Sequence, residues 1–296
     1  MLVYHHDADG VTSAVLWMLA HGLTPDDVQA RAADYFGEVT PDDKICFDMV
    51  PEDPNWEGIC FDHHPQHPPE EERKYTLYWD NVPASLLVYS FFAKDIPDEE
   101  KWKVVVGIVG DGQPELIPPN IFDMFPSLLD EVLYVYGGEL KFSLPRYKLL
   151  SSGINSLMRL GKHEYALRLL YYAKRPVQLL FDEEANRARE MIRNEYNKVL
   201  RNAQFVKLTN NIVYIEFESE VDVTGRLATD YGDRLGCTVV AYNAANGKVS
   251  IRGDLALWVV KRLNDRGIEA GGHPGFCGAN LEPGTNFIDI LREVVR

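Results

Sequence analysis

Apolar positions along the chain fall into two rhythms. "MLVY" at residues 1–4 is a short apolar run of strand character, and "GVTSAVLWMLAHGL" behind it spaces its apolar residues as an amphipathic helix does, closing at Gly22. Two further short runs each end on an acid, "KICFD" at Asp48 and "GICFD" at Asp62. Short apolar runs alternating with helical segments predict an α/β fold, a parallel sheet with helices on its faces. Residues 82–110 read as two helices split by "KDIPDEEK", and 145–203 as helical almost throughout. The last of these segments, "DEEANRAREMIRNEYNKVLRNA", is long and polar on one face, as a helix joining two domains would be.

Beyond that helix the texture turns to strands. "QFVKL", "NIVYIEFES" and "CTVVAYNAANGKVSIRG" are strand-like, the last with a hairpin turn near Asn246 and Gly247. "VTGRLATDYGDRLG" and "LALWVVKRLNDRG" supply helices between and after them. The expected organisation is a parallel-sheet domain over residues 1–180, a linker helix over 181–205, and a smaller mixed α/β domain over 206–296. No internal repeat or low-complexity tract interrupts it.

Composition narrows the class. The chain has 296 residues, 46% of them hydrophobic and 25% charged, as in a soluble globular protein with a sizeable core. No apolar run approaches a membrane span, and Met1 leads into polar residues without a basic segment, so neither membrane nor secretory signal is expected. Cys46, Cys60, Cys237 and Cys277 show no paired spacing, which fits a reduced, cytoplasmic protein without a disulfide framework. The net charge of −15 disfavours tracking along a long nucleic-acid backbone, where phosphate neutralisation drives binding. A small phosphate-bearing ligand remains open, particularly if cations accompany it.

The chemistry gathers at strand ends. In open parallel sheets, ligands lie outside the carboxyl ends of the strands. His5, Asp7 and Asp9 in "HHDADG", Asp48, His63 in "DHH", and Asp111 in "GDG" all fall at or past such ends or in polar turns. Crowded carboxylates repel each other and raise their own pKa values unless cations neutralise them. Four carboxylates and two imidazoles suffice for two divalent ions sharing a bridging carboxylate. Mixed nitrogen and oxygen ligation suits manganese, iron, cobalt or zinc. Two such ions ready a hydroxide and hold phosphoryl oxygens, which suggests hydrolysis of a phosphate ester or anhydride. Each piece alone has a plainer reading: "DADG" as a turn, Asp48 and Asp111 as cap or turn residues, His63 and His64 as loop residues. A calcium loop starting at His5 would need a glutamate at its twelfth position, which is Leu16.

In order, "HHDADG" at 5–10, the strand ending at Asp48, "DHH" at 62–64 and "GDG" around Asp111 resemble the DHH phosphoesterase superfamily. Its members include RecJ-type exonucleases, nano-RNases, cyclic-dinucleotide phosphodiesterases and family II pyrophosphatases. "GGHPGFCG" at 271–278 resembles the GGHxxAAG signature of the associated DHHA1 domain, with Phe276 and Cys277 in place of two alanines. Bulkier groups there are expected to narrow or reshape a pocket behind the glycines.

The resemblance implies two divalent ions, foremost Mn²⁺, with Mg²⁺ or Co²⁺ as substitutes. His5, Asp7 and Asp48 would hold one, and Asp9, Asp48, His63 and Asp111 the other. His64 would face the scissile phosphate and Asp62 would orient a neighbouring histidine. Arg252, Gly271, Gly272 and His273 would bind the substrate phosphate, the glycines by letting backbone N–H groups approach an anion and Arg252 by bidentate contact. Gly253 and Asp254 after that arginine depart from the family's small polar residue. His6 is left without a role, and His67 and His163 are expected at the surface.

Substrate is expected between the two domains. The GGH motif makes inorganic pyrophosphate the weaker candidate, because family II pyrophosphatases carry a different C-terminal domain. The large RecJ exonucleases add nucleic-acid-binding domains that this chain is not expected to contain. The expected activity is phosphodiester hydrolysis of short oligonucleotides or dinucleotides. A phosphomonoesterase acting on bisphosphorylated nucleotides is the nearest alternative. A non-catalytic nucleotide-binding or scaffold member is the alternative of another class. A homodimer is compatible with the sequence.

Overall fold

A computed structural model describes residues 1–33, 39–136 and 139–295, without the side chains of 134–136, 139–142 and 273. The chain divides into two compact units, Met1–Arg189 and Glu190–Arg296, the division falling within one long helix.

Unit one opens with β1 (Leu2–His5) and α1 (Ala8–Ala20), followed by β2 (Ala30–Ala33), β3 (Ile45–Phe47), β4 (Ile59–Asp62) and β5 (Thr76–Trp79). The five strands form one parallel sheet in the order β2-β1-β3-β4-β5. The register sets Tyr4 beside Phe47 and Phe47 beside Phe61, so the three chains end level with one another. The residues after those positions therefore emerge along one rim. Helices α2 (Ala84–Phe92), α3 (Val104–Gly110), α4 (Pro119–Met124), α5 (Leu150–Arg159), α6 (His163–Tyr172) and α7 (Pro176–Phe181) complete the unit. A two-stranded antiparallel ribbon, β6 (Glu131–Tyr136) and β7 (Glu139–Pro145), precedes α5. The core between sheet and helices is apolar: Tyr4, Val11, Val15, Met18, Phe47, Val88, Trp102 and Val105 are all buried. Burying one such side chain contributes roughly 1.5–3 kcal/mol.

Helix α8 (Glu183–Asn202) leads into unit two. That unit holds β8 (Gln204–Lys207), β9 (Ile212–Phe217), α9 (Thr224–Leu235), β10 (Thr238–Asn243), β11 (Lys248–Arg252), α10 (Ala256–Asn264), β12 (Ala270–His273), β13 (Phe276–Asn280) and α11 (Phe287–Val294). Its six-stranded sheet runs β12-β13-β11-β10-β9-β8, with β9 and β10 parallel and the other neighbours antiparallel. The turn between β10 and β11 falls at Gly247, whose φ of 76° suits glycine. Tyr214, Tyr242, Ile251, Val259 and Phe287 form its separate core. Among the described residues, no helix is long and apolar enough to cross a membrane.

Candidate metal centre

The rim of the parallel sheet gathers the ionisable groups. Past the end of β1, Asp7 takes an extended backbone and caps α1, its Oδ1 accepting from the Gly10 N–H at 2.9 Å. Asn155 of α5 accepts from the Ala8 N–H at 2.8 Å, satisfying another open donor of the first turn. Gly10 is required sterically: a Cβ there would lie 2.3 Å from the His5 carbonyl oxygen. This close approach leaves His5 Nδ1 3.0 Å from Asp7 Oδ2.

Asp48 follows β3 directly with φ of 59°, the one non-glycine in the left-handed region among the described residues. Such a conformation persists where surroundings over-determine it and clusters at functional sites. Its N–H donates to the Phe61 carbonyl at 2.8 Å, which ties it to β4. Its two carboxylate oxygens then face opposite partners, Oδ2 at 3.3 Å from His5 Nδ1 and Oδ1 at 3.1 Å from His63 Nε2. Asp111, at the C-terminus of α3, places Oδ1 3.8 Å from the same His63 nitrogen and accepts from Gln113 Nε2 at 2.6 Å.

The electrostatics are those of a crowd of acids and imidazoles removed from water. Burial lowers the pKa of His5, but Asp7 and Asp48 outweigh it and hold it well above the ordinary range. His63 is likewise pushed up to about 10, burial being outweighed by Asp48 and then by Asp111 and Asp9. Burial raises Asp111 to about 7, with His63 opposing and the Asp48 and Asp7 charges adding. Burial and the charges of Asp48 and Asp111 push Asp9 up strongly. Crowded acids and imidazoles of this kind are the setting in which a cation would relieve the repulsion.

The donor set fits a pair of divalent ions. His5, Asp7 and Asp48 bring ligand atoms within 4.8 Å of one another, and so do Asp48, Asp62, His63 and His64. Asp48 belongs to both groups; Asp9 and Asp111, expected as ligands, belong to neither, while Asp62 and His64, expected in other roles, join the second. The nitrogen and oxygen donors, with no thiolate among them, suit divalent ions.

Asp9 lies beside these groups with a second engagement that the sequence does not disclose. Its carboxylate accepts from the backbone N–H groups of Ala84 at 2.7 Å and Ser85 at 3.1 Å, and also from the Ser85 hydroxyl. It therefore closes the N-terminus of α2, which lacks a capping side chain of its own. Asp62, at the end of β4, is fully buried and accepts from His64 Nδ1 at 2.7 Å. His6 turns away and donates to the Ala33 carbonyl at 3.0 Å.

His67 turns its side chain inward instead of standing at the surface: the imidazole is only 5% exposed, because it bridges Asp62 and Tyr75. His163 is half-buried, with Nε2 donating to the Met158 carbonyl at 3.0 Å. The polar "HPPEEE" tract gives no sign that His67 folds inward. Only its five-residue spacing from Asp62 could have suggested it.

In unit two, Arg252 ends β11, and its Nη1 donates to the Ile251 and Cys277 carbonyls at 3.0 and 2.8 Å. Gly271 pairs with Gly278 and Gly272 with Cys277 across the β12–β13 hairpin. Gly272 has φ of 135°, and a Cβ on it would come 2.3 Å from the Phe276 carbonyl oxygen, so glycine is obligatory. His273 ends β12, but its side chain lies outside the described residues.

Phe276 and Cys277 stand on opposite faces of β13, as strand alternation requires. Cys277 packs into the core, while Phe276 is 56% exposed with its ring 5.1 Å from the Arg252 guanidinium carbon.

No protein-family model and no curated protein matches the sequence. Solved structures do resemble it. RecJ from Thermus thermophilus in complex with Mn²⁺ superposes with a TM-score of 0.67 at 16% identity, covering 99% of this chain and 51% of RecJ. The chain thus spans about half the length of that enzyme. The DHH domain of a member of a ribosomal protein family gives 0.65 at 14% identity, with 98% and 84% covered. The pGpG-specific phosphodiesterase PggH from Vibrio cholerae gives 0.52 at 15% identity, with 99% and 98% covered.

Proposed function

From the premise that this chain has the fold of the DHH phosphoesterases, we propose that it hydrolyses phosphodiester bonds in short oligonucleotides or linear dinucleotides. The observation that carries this reading is Asp48, whose two oxygens face His5 on one side and His63 on the other. His5, Asp7 and Asp48 would hold one divalent ion. Asp48, His63 and Asp111 would hold a second, with Asp9 beside them offering whatever lone pairs the α2 amides leave. When bound, the ions supply Lewis acidity and activate water. Mn²⁺ is the preferred ion.

The side chains of this protein do the rest. Asp62 orients His64, which would face the scissile phosphate and serve the departing oxygen. Arg252, with Gly271, Gly272 and His273, would bind a substrate phosphate. The net charge of −15 supports a substrate with few phosphates over a long strand. Retention of every acid and imidazole of the cluster weighs against a scaffold that has lost its chemistry.

Incubation with Mn²⁺ and labelled di- to pentanucleotides tests the proposal, with pyrophosphate and a 3′,5′-bisphosphonucleotide in parallel. Mononucleotides should appear, cease on chelation with EDTA, and reappear when Mn²⁺ is restored. Cleavage that persists in EDTA, or turnover of pyrophosphate alone, would refute the assignment.

Arg252→Lys should separate substrate binding from metal binding. Lysine keeps the charge but loses the planar fork. A charge-assisted hydrogen bond contributes about 1.5–3 kcal/mol, so KM for a dinucleotide should rise roughly 10- to 100-fold. Metal stoichiometry should stay unchanged; an unaltered KM would remove Arg252 from the substrate site.

A further inference from the structure

A fully buried carboxylate is tolerated only when its oxygens are paired. Asp62 solves this with two different imidazoles: Oδ1 lies 2.7 Å from His64 Nδ1 and Oδ2 lies 2.7 Å from His67 Nε2. The chain of contacts continues outward, with His67 Nδ1 2.7 Å from the Tyr75 hydroxyl. Asp62, His64 and Tyr75 are buried and the His67 side chain is only 5% exposed, and Trp79 Nε1 pins the His64 backbone by donating to its carbonyl at 2.8 Å.

The order of groups determines where the protons sit. An ionised carboxylate only accepts, and each oxygen of Asp62 has one ring nitrogen at 2.7 Å, so Asp62 accepts from both rings. His67 must then carry its proton on Nε2, which leaves Nδ1 of the neutral ring to accept from the Tyr75 O–H. Burial keeps that phenol protonated. His64 must carry its proton on Nδ1, so Nε2 is the nitrogen left to face the substrate. The network thereby assigns the tautomers.

We propose that His67, acting through Asp62 and backed by Tyr75, is a positioning residue that fixes the ring orientation and tautomer of His64. This rests on the phosphoesterase reading above, in which His64 faces the scissile phosphate. Without His67, Asp62 has one oxygen with a lost partner and can rotate or take up a second donor. The His64 ring then loses its single orientation. Outer partners of this kind typically contribute 10- to 100-fold to activity or metal affinity.

Three variants and one double variant test it in the Mn²⁺-loaded protein with a linear dinucleotide. His67→Phe should lower kcat about 10- to 100-fold with KM nearly unchanged. His67→Gln, whose amide N–H can replace Nε2–H toward Asp62, should restore most of the loss. Tyr75→Phe removes one hydroxyl, so it should shift kcat in the same direction by less, and it reports even where His67→Phe folds poorly. In a His64→Ala background, adding His67→Phe should cause no further loss of kcat, since its effect passes through His64.

A readout independent of turnover is the imidazole ¹⁵N spectrum of the Mg²⁺-loaded protein, at a pH where the ring is neutral. It should show His64 protonated on Nδ1 in the parent, a mixture in His67→Phe, and recovery in His67→Gln. Equal losses from His67→Phe with and without His64 would overturn the proposal, as would an unchanged His64 tautomer. If the parent turned over no phosphodiester, the functional reading would fail while the spectrum still judged the positioning role.

Discussion

Asp48→Asn is expected to lower turnover by more than about 100-fold, beyond the 10- to 100-fold that outer partners of a metal ligand typically contribute. Asparagine is the informative substitution because Asp48 sits at φ of 59°. Asparagine adopts that region more readily than most side chains, whereas alanine would add roughly 1–2 kcal/mol of backbone strain and confuse the result. The hydrogen bond from its N–H to the Phe61 carbonyl survives, so β3 and β4 stay tied. What disappears is the charge facing both His5 and His63. Circular dichroism should report a folded protein, and turnover near the parent level would remove Asp48 from the centre of the mechanism.

The second large effect is steric. Gly10→Ala gains up to about 1 kcal/mol of helix propensity. The new Cβ, however, would sit 2.3 Å from the His5 carbonyl oxygen and 2.8 Å from its nitrogen, so β1 and α1 must separate. Overpacking of this kind costs about 1–3 kcal/mol and occasionally more, and with rigid backbone as the obstacle the upper end applies. A net loss of about 2 kcal/mol would lower the thermal midpoint by about 4–8 °C for a unit of this size. Activity should fall further than stability. The residues displaced are His5 and Asp7, and a misplacement of about 1 Å near reacting groups can cost about 100-fold. A variant with parental midpoint and turnover would show that the close approach is dispensable.

Much of this architecture could be read from residue patterns. Short apolar runs ending on Asp48 and Asp62 indicated a parallel sheet with its chemistry on one rim, and the level register of β1, β3 and β4 explains why those acids converge. The Asn246–Gly247 turn was equally legible. Other elements carried no local signal. β2 is "ARAA", with no apolar run, and owes its strand form to pairing with β1.

The site divided the same way. Asp7, Asp48 and His63 stood in recognisable surroundings. The tie from Asp9 to Ala84 and Ser85 spans some 75 residues and depends on how α2 packs. The inward turn of His67 depends on a buried Asp62 needing a second partner. Phe276 and Cys277 were legible in principle, since a strand sends neighbouring side chains to opposite faces.

This rim is proposed to hold two divalent ions sharing Asp48. Electron paramagnetic resonance of the protein titrated with Mn²⁺ addresses it most directly. Two ions per chain should bind, with an exchange-coupled spectrum that Asp48→Asn abolishes. A single isolated Mn²⁺ signal at saturation, or no binding at all, would contradict the account.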